Sequence, residues 1–352
     1  MNALSAWFRR YFSDPQVVFL SVALVVGFGV VLILGDMLTP VLASIVIAYL
    51  LEGLVGVFVR LGWPRLAGVL LVYVAFMLFV VLVLFWVMPL VSRQVTDLIQ
   101  QLPNMIAKGQ QVLMQLPERY PDLVTGAEIQ ALIELIRTEI ATWGQRALTW
   151  SLGSVVGLIT AVVYLVLMPL LVFFFLKDRD LIIGWFGTYL PKHRHIAGTV
   201  WRDVDRQISN YIRGKFWEVL IVWAASFITF QAFALKYAML LAVLVGLSVI
   251  VPYIGATVVT IPVVLIAWFQ WGWGPDFGWL VAAYFIIQGI DGNVLVPLLF
   301  SEVVNLHPVA IIVAILIFGG LWGFWGVFFA IPLATLVQAI LVALPREGPV
   351  PG

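Results

Sequence analysis

One acidic residue in the middle of a membrane-length apolar run constrains this chain more than any other feature. Residues 279–297 read WLVAAYFIIQGIDGNVLVP, and Asp291 lies twelve residues after Trp279. At about 1.5 Å per helical residue this is about 18 Å, near the centre of a hydrocarbon layer about 30 Å thick. A charge there costs at least about 2.5–3.5 kcal/mol, so the carboxylate needs a partner or water. The default interpretation is a site on a path through the membrane.

The overall composition places the whole chain in a bilayer. Hydrophobic residues fill 63% of the 352 positions and charged residues only 11%, whereas soluble domains are about half apolar and a quarter charged. The composition therefore predicts an all-α polytopic membrane protein with the lipid bilayer as its partner. A net charge of +1 gives no basis for nucleic-acid binding. With no cysteine, three scattered histidines and no ATP-binding motif, we expect neither a metal nor a cofactor.

Charges and turn residues divide the apolar sequence into about eight membrane segments. We predict spans at about 17–35, 40–59, 66–91, 150–176, 216–234 and 279–297, with two further apolar segments at 238–266 and 308–336. The resulting regions are N-terminal transmembrane helices (1–91), an external amphipathic helical region (92–149), a transmembrane helix with a cytoplasmic loop and surface helix (150–215), an inverted-repeat transport core (216–343) and a tail (344–352). Lys and Arg gather in the loop 177–215 and beside the first three spans, which predicts two cytoplasmic termini.

The external region carries a helical pattern. From Val91 to Leu116 apolar residues recur in steps of four and three, and residues 129–143 repeat this spacing. This predicts two amphipathic helices, each with a narrow apolar seam. The helices could fold back on each other or pack against neighbouring subunits, and Pro103 argues against one long straight coiled coil.

The last third contains an internal repeat. Segments 238–266 and 308–336 are each apolar for about ten residues, break at a cluster of Gly, Pro and aromatic residues, and resume to an Ile-Pro pair. Each half is short for a full span, which favours helix–break–helix hairpins. With the spans 216–234 and 279–297 they form two helix-plus-hairpin units in inverted repeat, as in secondary transporters. Two ordinary spans in each segment would place the ends of that segment on the same side of the membrane as a hairpin does.

Prolines at the breaks leave backbone carbonyls without their helical donors. A proline has no N–H, so the carbonyl four residues earlier is freed. The carbonyls predicted to be free are those of Ser248, Val258, Asn293 and Phe328. In a membrane they must be satisfied by neighbouring helices, water or a ligand.

The candidate site is built around Asp291. Gln288 lies one helical turn earlier, and Gly289 and Gly292 allow a second helix to approach closely. The predicted substrate- or ion-binding residues are Asp291, Gln288, Asn293, Pro252, Tyr253, Gly255, Gly319, Gly320, Gly323 and Gly326. Secondary candidates are Ser248, Glu302, Asn305 and His307. Asp291 is interpreted as a coupling carboxylate or a ligand to a polar substrate; the alternative is a carboxylate that only holds helices together.

Motifs over most of the chain resemble one family. They are QGIDGNVLVP (288–297), NLHP (305–308), GGLWGFWG (319–326) with IPL (331–333), PYIG (252–255), ISNYIRGK (208–215) and FLKD (175–178). These are similar to the autoinducer-2 exporter family of bacterial membrane proteins. The resemblance implies an inner-membrane location, about eight spans, and a homo-oligomer, a pentamer, with the external helices as candidate contacts. Family members are described as autoinducer-2 exporters or as sodium–proton antiporters, so the resemblance leaves the cargo open.

These observations favour a secondary transporter. We expect a permease or exporter that moves a small polar solute or a monovalent cation, coupled to H⁺ or Na⁺ through Asp291. The alternative is a passive pore or an oligomeric membrane scaffold. An intramembrane enzyme is not expected, since no second Asp lies at the depth of Asp291 and Ser248 has no histidine within the predicted spans.

Overall fold

The computed structural model describes residues 15–115, part of 127–142, and residues 155–188, 195–252, 254–300 and 306–343. The described residues form α-helices joined by short turns and contain no strand. This confirms the all-α prediction, and the physical reason is that a helix pairs all of its interior backbone groups within one segment.

Twelve α-helices are delimited within the described residues. The first six are α1 (Pro15–Arg60), α2 (Arg65–Leu82), α3 (Met88–Met114), α4 (Val155–Lys177), α5 (Arg179–Thr188) and α6 (His195–Ala232). The next six are α7 (Ala238–Ser248), α8 (Ile254–Trp271), α9 (Pro275–Ile290), α10 (Val296–Phe300), α11 (Pro308–Phe328) and α12 (Ala330–Ala343). Two π-helical turns, Val83–Val87 and Asp291–Leu295, join α2 to α3 and α9 to α10.

Five of the described helical stretches are long and apolar enough to cross a membrane. They are Met37–Arg60, Arg65–Met114, Ile254–Trp271, Pro275–Phe300 and Val309–Phe328. Shorter apolar stretches lie at Val162–Lys177 and Ala238–Ser248. The chain is therefore a multi-pass integral membrane protein, and the count of about eight segments stays a prediction.

The predicted break between the first two spans is wrong. Helix α1 runs without interruption for 46 residues and includes Pro40. One proline removes a single backbone hydrogen bond, and helices in membranes tolerate that loss when neighbouring groups compensate. Because a helix that crosses once has its ends on opposite sides, the argument for a cytoplasmic N terminus no longer holds.

The predicted boundary at residues 215 and 216 is also absent. The surface helix of the cytoplasmic loop and the span 216–234 are one 38-residue helix, α6. The charges that suggested a boundary are paired inside the protein: Arg213 donates to Ser209, and Lys215 pairs with Glu218. A paired charge does not force a helix to end at the membrane surface.

The apolar seam of the external helix has a partner in this chain. Val91, Leu98 and Met105 pack against the buried cluster formed by α6, α7, α8 and α9. These three seam residues thus pack within the chain, and the contact of the seam with neighbouring subunits stays a prediction. Of the second predicted external helix, only scattered residues between 127 and 142 belong to the described part of the chain, and these are helical.

Helices α7 and α8 form a hairpin. Gln270, near the end of α8, accepts from the Lys236 N–H at 2.8 Å and donates to the Ala234 carbonyl at 2.9 Å. The start of α7 therefore lies beside the end of α8. With 11 residues, α7 is about 16 Å long, which is too short for a layer about 30 Å thick.

Helices α11 and α12 meet at a similar break. Gly323 interrupts α11 with φ 57° and ψ −131°, a backbone conformation that favours glycine. A Cβ on Gly326 would lie 1.8 Å from the Phe318 carbonyl oxygen, and a Cβ on Gly255 would lie 1.8 Å from the Ser248 carbonyl oxygen. The first break therefore brings Gly255 against the backbone of α7, and the second brings Gly326 against the part of α11 that precedes Gly323.

Candidate functional site

One turn of α6 binds the tips of both helix pairs. The Tyr211 hydroxyl donates to the Phe328 carbonyl at 3.0 Å, and the Lys215 ammonium donates to the Val249 carbonyl at 2.7 Å. Tyr211 and Lys215 are four residues apart, so they share one face of the helix. The two carbonyls lie at the α11–α12 and α7–α8 breaks. The breaks therefore converge on α6.

Two of the four carbonyls predicted to be free have protein donors. The Phe328 carbonyl, predicted to be freed by Pro332, accepts from Tyr211 at 3.0 Å. The Ser248 carbonyl accepts from the Val251 N–H at 3.0 Å. Neighbouring groups thus satisfy these positions.

A buried ion pair lies on the same face of α6. The Lys215 ammonium is 2.7 Å from a Glu218 carboxylate oxygen, and the two side chains are only 6% and 2% exposed. The ammonium also lies 5.2 Å from the centre of the Phe300 ring, a cation–π contact. A Cβ on Gly214 would lie 2.7 Å from that ring, so glycine is what lets α10 approach α6 here.

Asp291 begins the π-helical turn between α9 and α10. The Val296 N–H donates to the Asp291 carbonyl, and the extra residue in the turn changes which side chains face inward. Asp291 is 8% exposed, whereas Gly292 and Asn293 are exposed. Single π-helical turns of this kind are frequent at functional sites. Asp291 is therefore the buried residue of this turn.

Two buried polar atoms near the turn have no hydrogen-bond partner among the described residues. They are Oδ1 of Asp291 and Nε2 of Gln288. Buried polar groups are nearly always paired, and an unpaired one is expensive in an apolar surrounding. An unpaired acceptor and an unpaired donor one turn apart indicate a place that a ligand, an ion or water fills.

Asp291 and the ion pair of α6 act on one another electrostatically. The charge of Lys215 acts on Asp291, and the charge of Asp291 acts on Glu218. The site thus contains two acids and one ammonium group. With both acids ionised, one negative charge remains uncompensated.

The other predicted polar residues lie outside this cluster. Asn293 is exposed, and its side-chain amide donates to the Gly289 carbonyl at 2.8 Å. His307 caps α11, where its Nδ1 accepts from the Val309 N–H at 3.3 Å. The Ser248 hydroxyl donates to the Val245 carbonyl at 2.7 Å. Tyr253, Glu302 and Asn305 lie outside the described residues.

The predicted glycines and Pro252 shape the two breaks. Pro252 lies in the half-buried turn between α7 and α8. Gly255 and Gly326 allow the close backbone approaches described above, and a Cβ on Gly319 would lie 2.8 Å from Val327. Gly320 faces open space, and Gly323 supplies the positive φ. Their participation in binding stays a prediction.

The sequence reasoning missed Lys215 and Glu218 as members of the site. It placed Lys215 at the end of a charged loop and overlooked Glu218 within the following apolar run. The available signal was their spacing of three residues, which allows a helical ion pair. Among the described residues no group of three or more His, Cys, Asp and Glu could hold a metal ion.

This geometry is that of a multi-pass membrane protein with a charged site inside its helical bundle. The family model for the AI-2E family transporter matches residues 20–346. The chain is 48% identical over 345 residues to "Putative permease PerM" of Escherichia coli strain K12, an alignment that covers 98% of each chain. It is 27% identical over 319 residues to "Putative transport protein YrrI" of Bacillus subtilis, which covers 90% of this chain and 88% of that protein.

The chain therefore belongs to the AI-2E transporter family. The match covers nearly the whole sequence, including α6, the π-helical turn and both breaks. The family resemblance seen in the sequence motifs is confirmed.

Proposed function

We propose that the protein is a secondary transporter that moves a small polar solute or a monovalent cation and is coupled to H⁺ or Na⁺ through Asp291. The observation that carries this proposal is that Oδ1 of Asp291 and, one helical turn earlier, Nε2 of Gln288 are buried and have no hydrogen-bond partner among the described residues. Membership of a transporter family and relatives named as permease and transport proteins support the same class.

The charges of the site favour a monovalent coupling ion. Lys215 compensates one of the two acids, Glu218 and Asp291, at short range. One proton or one monovalent cation would then neutralise the remaining charge, whereas a divalent cation would leave an excess positive charge. A neutral site moves through an apolar surrounding at much lower cost than a charged one.

The two hairpins would supply the moving parts. In this proposal α6 with α7–α8 and α9–α10 with α11–α12 are two helix-plus-hairpin units of an inverted repeat. The similar glycine contacts at Gly255 and Gly326 support the repeat. Release of Lys215 from the Val249 carbonyl, or of Tyr211 from the Phe328 carbonyl, would free one tip at a time.

Location and assembly complete the proposal. We place the protein in the bacterial inner membrane by family resemblance, with a cytoplasmic C terminus from the distribution of Lys and Arg. A homo-oligomer, a pentamer by family resemblance, is part of the same proposal.

Transport is tested with the purified protein in sealed liposomes that contain a pH-sensitive dye. A pulse of Na⁺ or Li⁺ outside is expected to move protons in the wild type and not in Asp291→Asn. Asp276→Asn is the matched control, because Asp276 is exposed in the first turn of the same membrane-spanning helix.

Each outcome has a clear meaning. Unchanged coupling in Asp291→Asn would remove Asp291 from the mechanism. A flat trace in every protein would exclude cation antiport and direct the assay to organic solutes such as autoinducer-2. Flux of ions down their gradient with no coupling would favour a passive pore.

A further inference from the structure

A cavity of about 160 Å³ lies between α3 and the base of the α7–α8 hairpin. Its polar lining comes from Gln101, Asn104 and Lys108 of α3, Lys236 and Tyr237 before α7, and Gln270 of α8. None of these residues belongs to the Asp291 site or to the two tips. The cavity therefore needs an explanation of its own.

The walls of this cavity are held by specific hydrogen bonds. The Lys108 ammonium donates to the Phe269 carbonyl at 3.0 Å, and Gln94 of α3 accepts from the Leu240 N–H at 2.8 Å. The Gln270 side chain bonds the α6–α7 connection at both its oxygen and its nitrogen, at 2.8 and 2.9 Å. The lining groups are thus positioned before any ligand arrives, which reduces the entropy lost on binding.

Tyr237 has an unsatisfied buried hydroxyl. The residue is 7% exposed, and its hydroxyl has no hydrogen-bond partner among the described residues, although a buried Tyr hydroxyl usually finds one. Its φ is +62°, a left-handed conformation that is strained for a tyrosine and is often retained at functional sites. Burial and, to a smaller extent, the charge of Asp97 raise the pKa of Tyr237, so the hydroxyl keeps its proton and can donate.

The chemistry of the lining suits an anion with several oxygen atoms. Two ammonium groups, Lys108 and Lys236, and the Tyr237 hydroxyl all contribute donors. We propose that this cavity binds a phosphate group, either as the headgroup of a membrane phospholipid or as a free phosphate. Lysine is a common phosphate ligand, and charge-assisted hydrogen bonds are stronger than neutral ones.

The surroundings of the cavity make both sources reasonable. Trp268 and Trp271 lie in the last turn of α8 and Trp273 lies two residues beyond it, and tryptophan is enriched at the level of lipid headgroups. A phospholipid could therefore place its phosphate in the cavity while its chains stay in the bilayer. A free phosphate could enter from the aqueous side, on which Lys236 is exposed.

The test uses the full chain purified in a neutral detergent. Sodium phosphate is titrated against sodium chloride at constant ionic strength, and the thermal unfolding midpoint is recorded. A short-chain phosphatidylglycerol below its micelle concentration is the second probe. At least one probe is expected to raise the midpoint of the wild type in a saturable manner.

Two variants remove single donors from the cavity. Lys236→Gln is expected to weaken the apparent affinity at least tenfold and Tyr237→Phe about fivefold. Both should fold, because the Lys236 side chain is exposed and Tyr237→Phe keeps the ring. Lys177→Gln is the matched control: that side chain is 43% exposed and lies at the end of α4, so its affinity should equal that of the wild type.

The two sources give different results. Stabilisation by the lipid alone assigns the cavity to a headgroup, and stabilisation by inorganic phosphate that also displaces the lipid assigns it to the free anion. No saturable shift with either probe overturns the proposal. An equal loss in Lys177→Gln and Lys236→Gln also overturns it, since the effect would then be nonspecific.

Discussion

Lys215 and Glu218 form a buried ion pair at 2.7 Å on the helix that receives both hairpin tips. The same ammonium binds the Val249 carbonyl and lies over the Phe300 ring. Lys215 thus connects an acid, a hairpin tip and the helix that follows the π-helical turn. A change in the charge of the site is therefore linked to the position of the tip through one side chain.

Replacement of Lys215 by methionine should strongly destabilise the protein. The variant leaves the Glu218 carboxylate buried without its cation and beside Asp291, and breaking a buried pair costs about 3–5 kcal/mol. Thermal unfolding in detergent measures the loss. The double variant Lys215→Met/Glu218→Leu should regain most of the stability, because no uncompensated charge remains, yet it should not restore coupled transport. A single variant as stable as the wild type would mean that the pair is solvated.

Alanine at either tip glycine should disrupt its hairpin. A Cβ at Gly255 or Gly326 would lie 1.8 Å from a backbone carbonyl oxygen, and a backbone cannot yield as a flexible side chain does. We expect Gly255→Ala and Gly326→Ala to cost at least about 1–3 kcal/mol. Gly278→Ala is the control, because nothing lies within 4 Å of its Cβ position; alanine there should stabilise the helix by about 0.5–1 kcal/mol. Equal unfolding midpoints for all three variants would contradict the close approach.

The hydroxyl of Tyr211 should hold the second tip closed. Tyr211→Phe leaves the Phe328 carbonyl without its donor, at a cost of about 1–3 kcal/mol. Faster amide hydrogen exchange is expected at residues 324–328. Tyr73→Phe is the control, because it also removes a tyrosine hydroxyl but lies away from the tip. It keeps the contact between the ring at position 73 and the Phe173 ring, whose centres are 5.2 Å apart. Unchanged exchange at the tip in Tyr211→Phe would show that other contacts close it.

The sequence predicted those parts of the fold that depend on hydropathy and on backbone breaks. The isolated charge of Asp291 and the Gly and Pro clusters near 252 and 323 are local signals, and the structure places breaks there. The charged pair near Asp291 was not predicted in the same way. Lys215 and Glu218 form an ion pair that is buried by the surrounding helices, whereas the hydropathy argument placed Lys215 at the end of a loop and overlooked Glu218 inside the next span.

Two other features exceed what local patterns encode. Pro40 lies inside the uninterrupted helix α1, and whether a proline breaks a helix depends on whether neighbouring groups compensate for its missing N–H. The π-helical turn at Asp291 shifts the register by one residue, and no residue type specifies it. Asp291 and Asn293 are two residues apart and therefore face different sides of the helix: Asp291 is buried, as are Leu280 and Tyr284 of α9, whereas Asn293 is exposed.

Gln288 distinguishes a binding role from a structural role. Its Nε2 is buried without a partner among the described residues, and an unsatisfied buried donor destabilises a protein by about 1–3 kcal/mol. Gln288→Leu should therefore leave the unfolding midpoint unchanged or raise it, while the concentration of ion or solute for half-maximal transport increases about tenfold. Asn293→Leu, which removes an exposed bond to Gly289, should leave that concentration unchanged. If Gln288→Leu instead lowers the midpoint and transport follows only the amount of folded protein, the amide holds helices together and the ligand lies elsewhere.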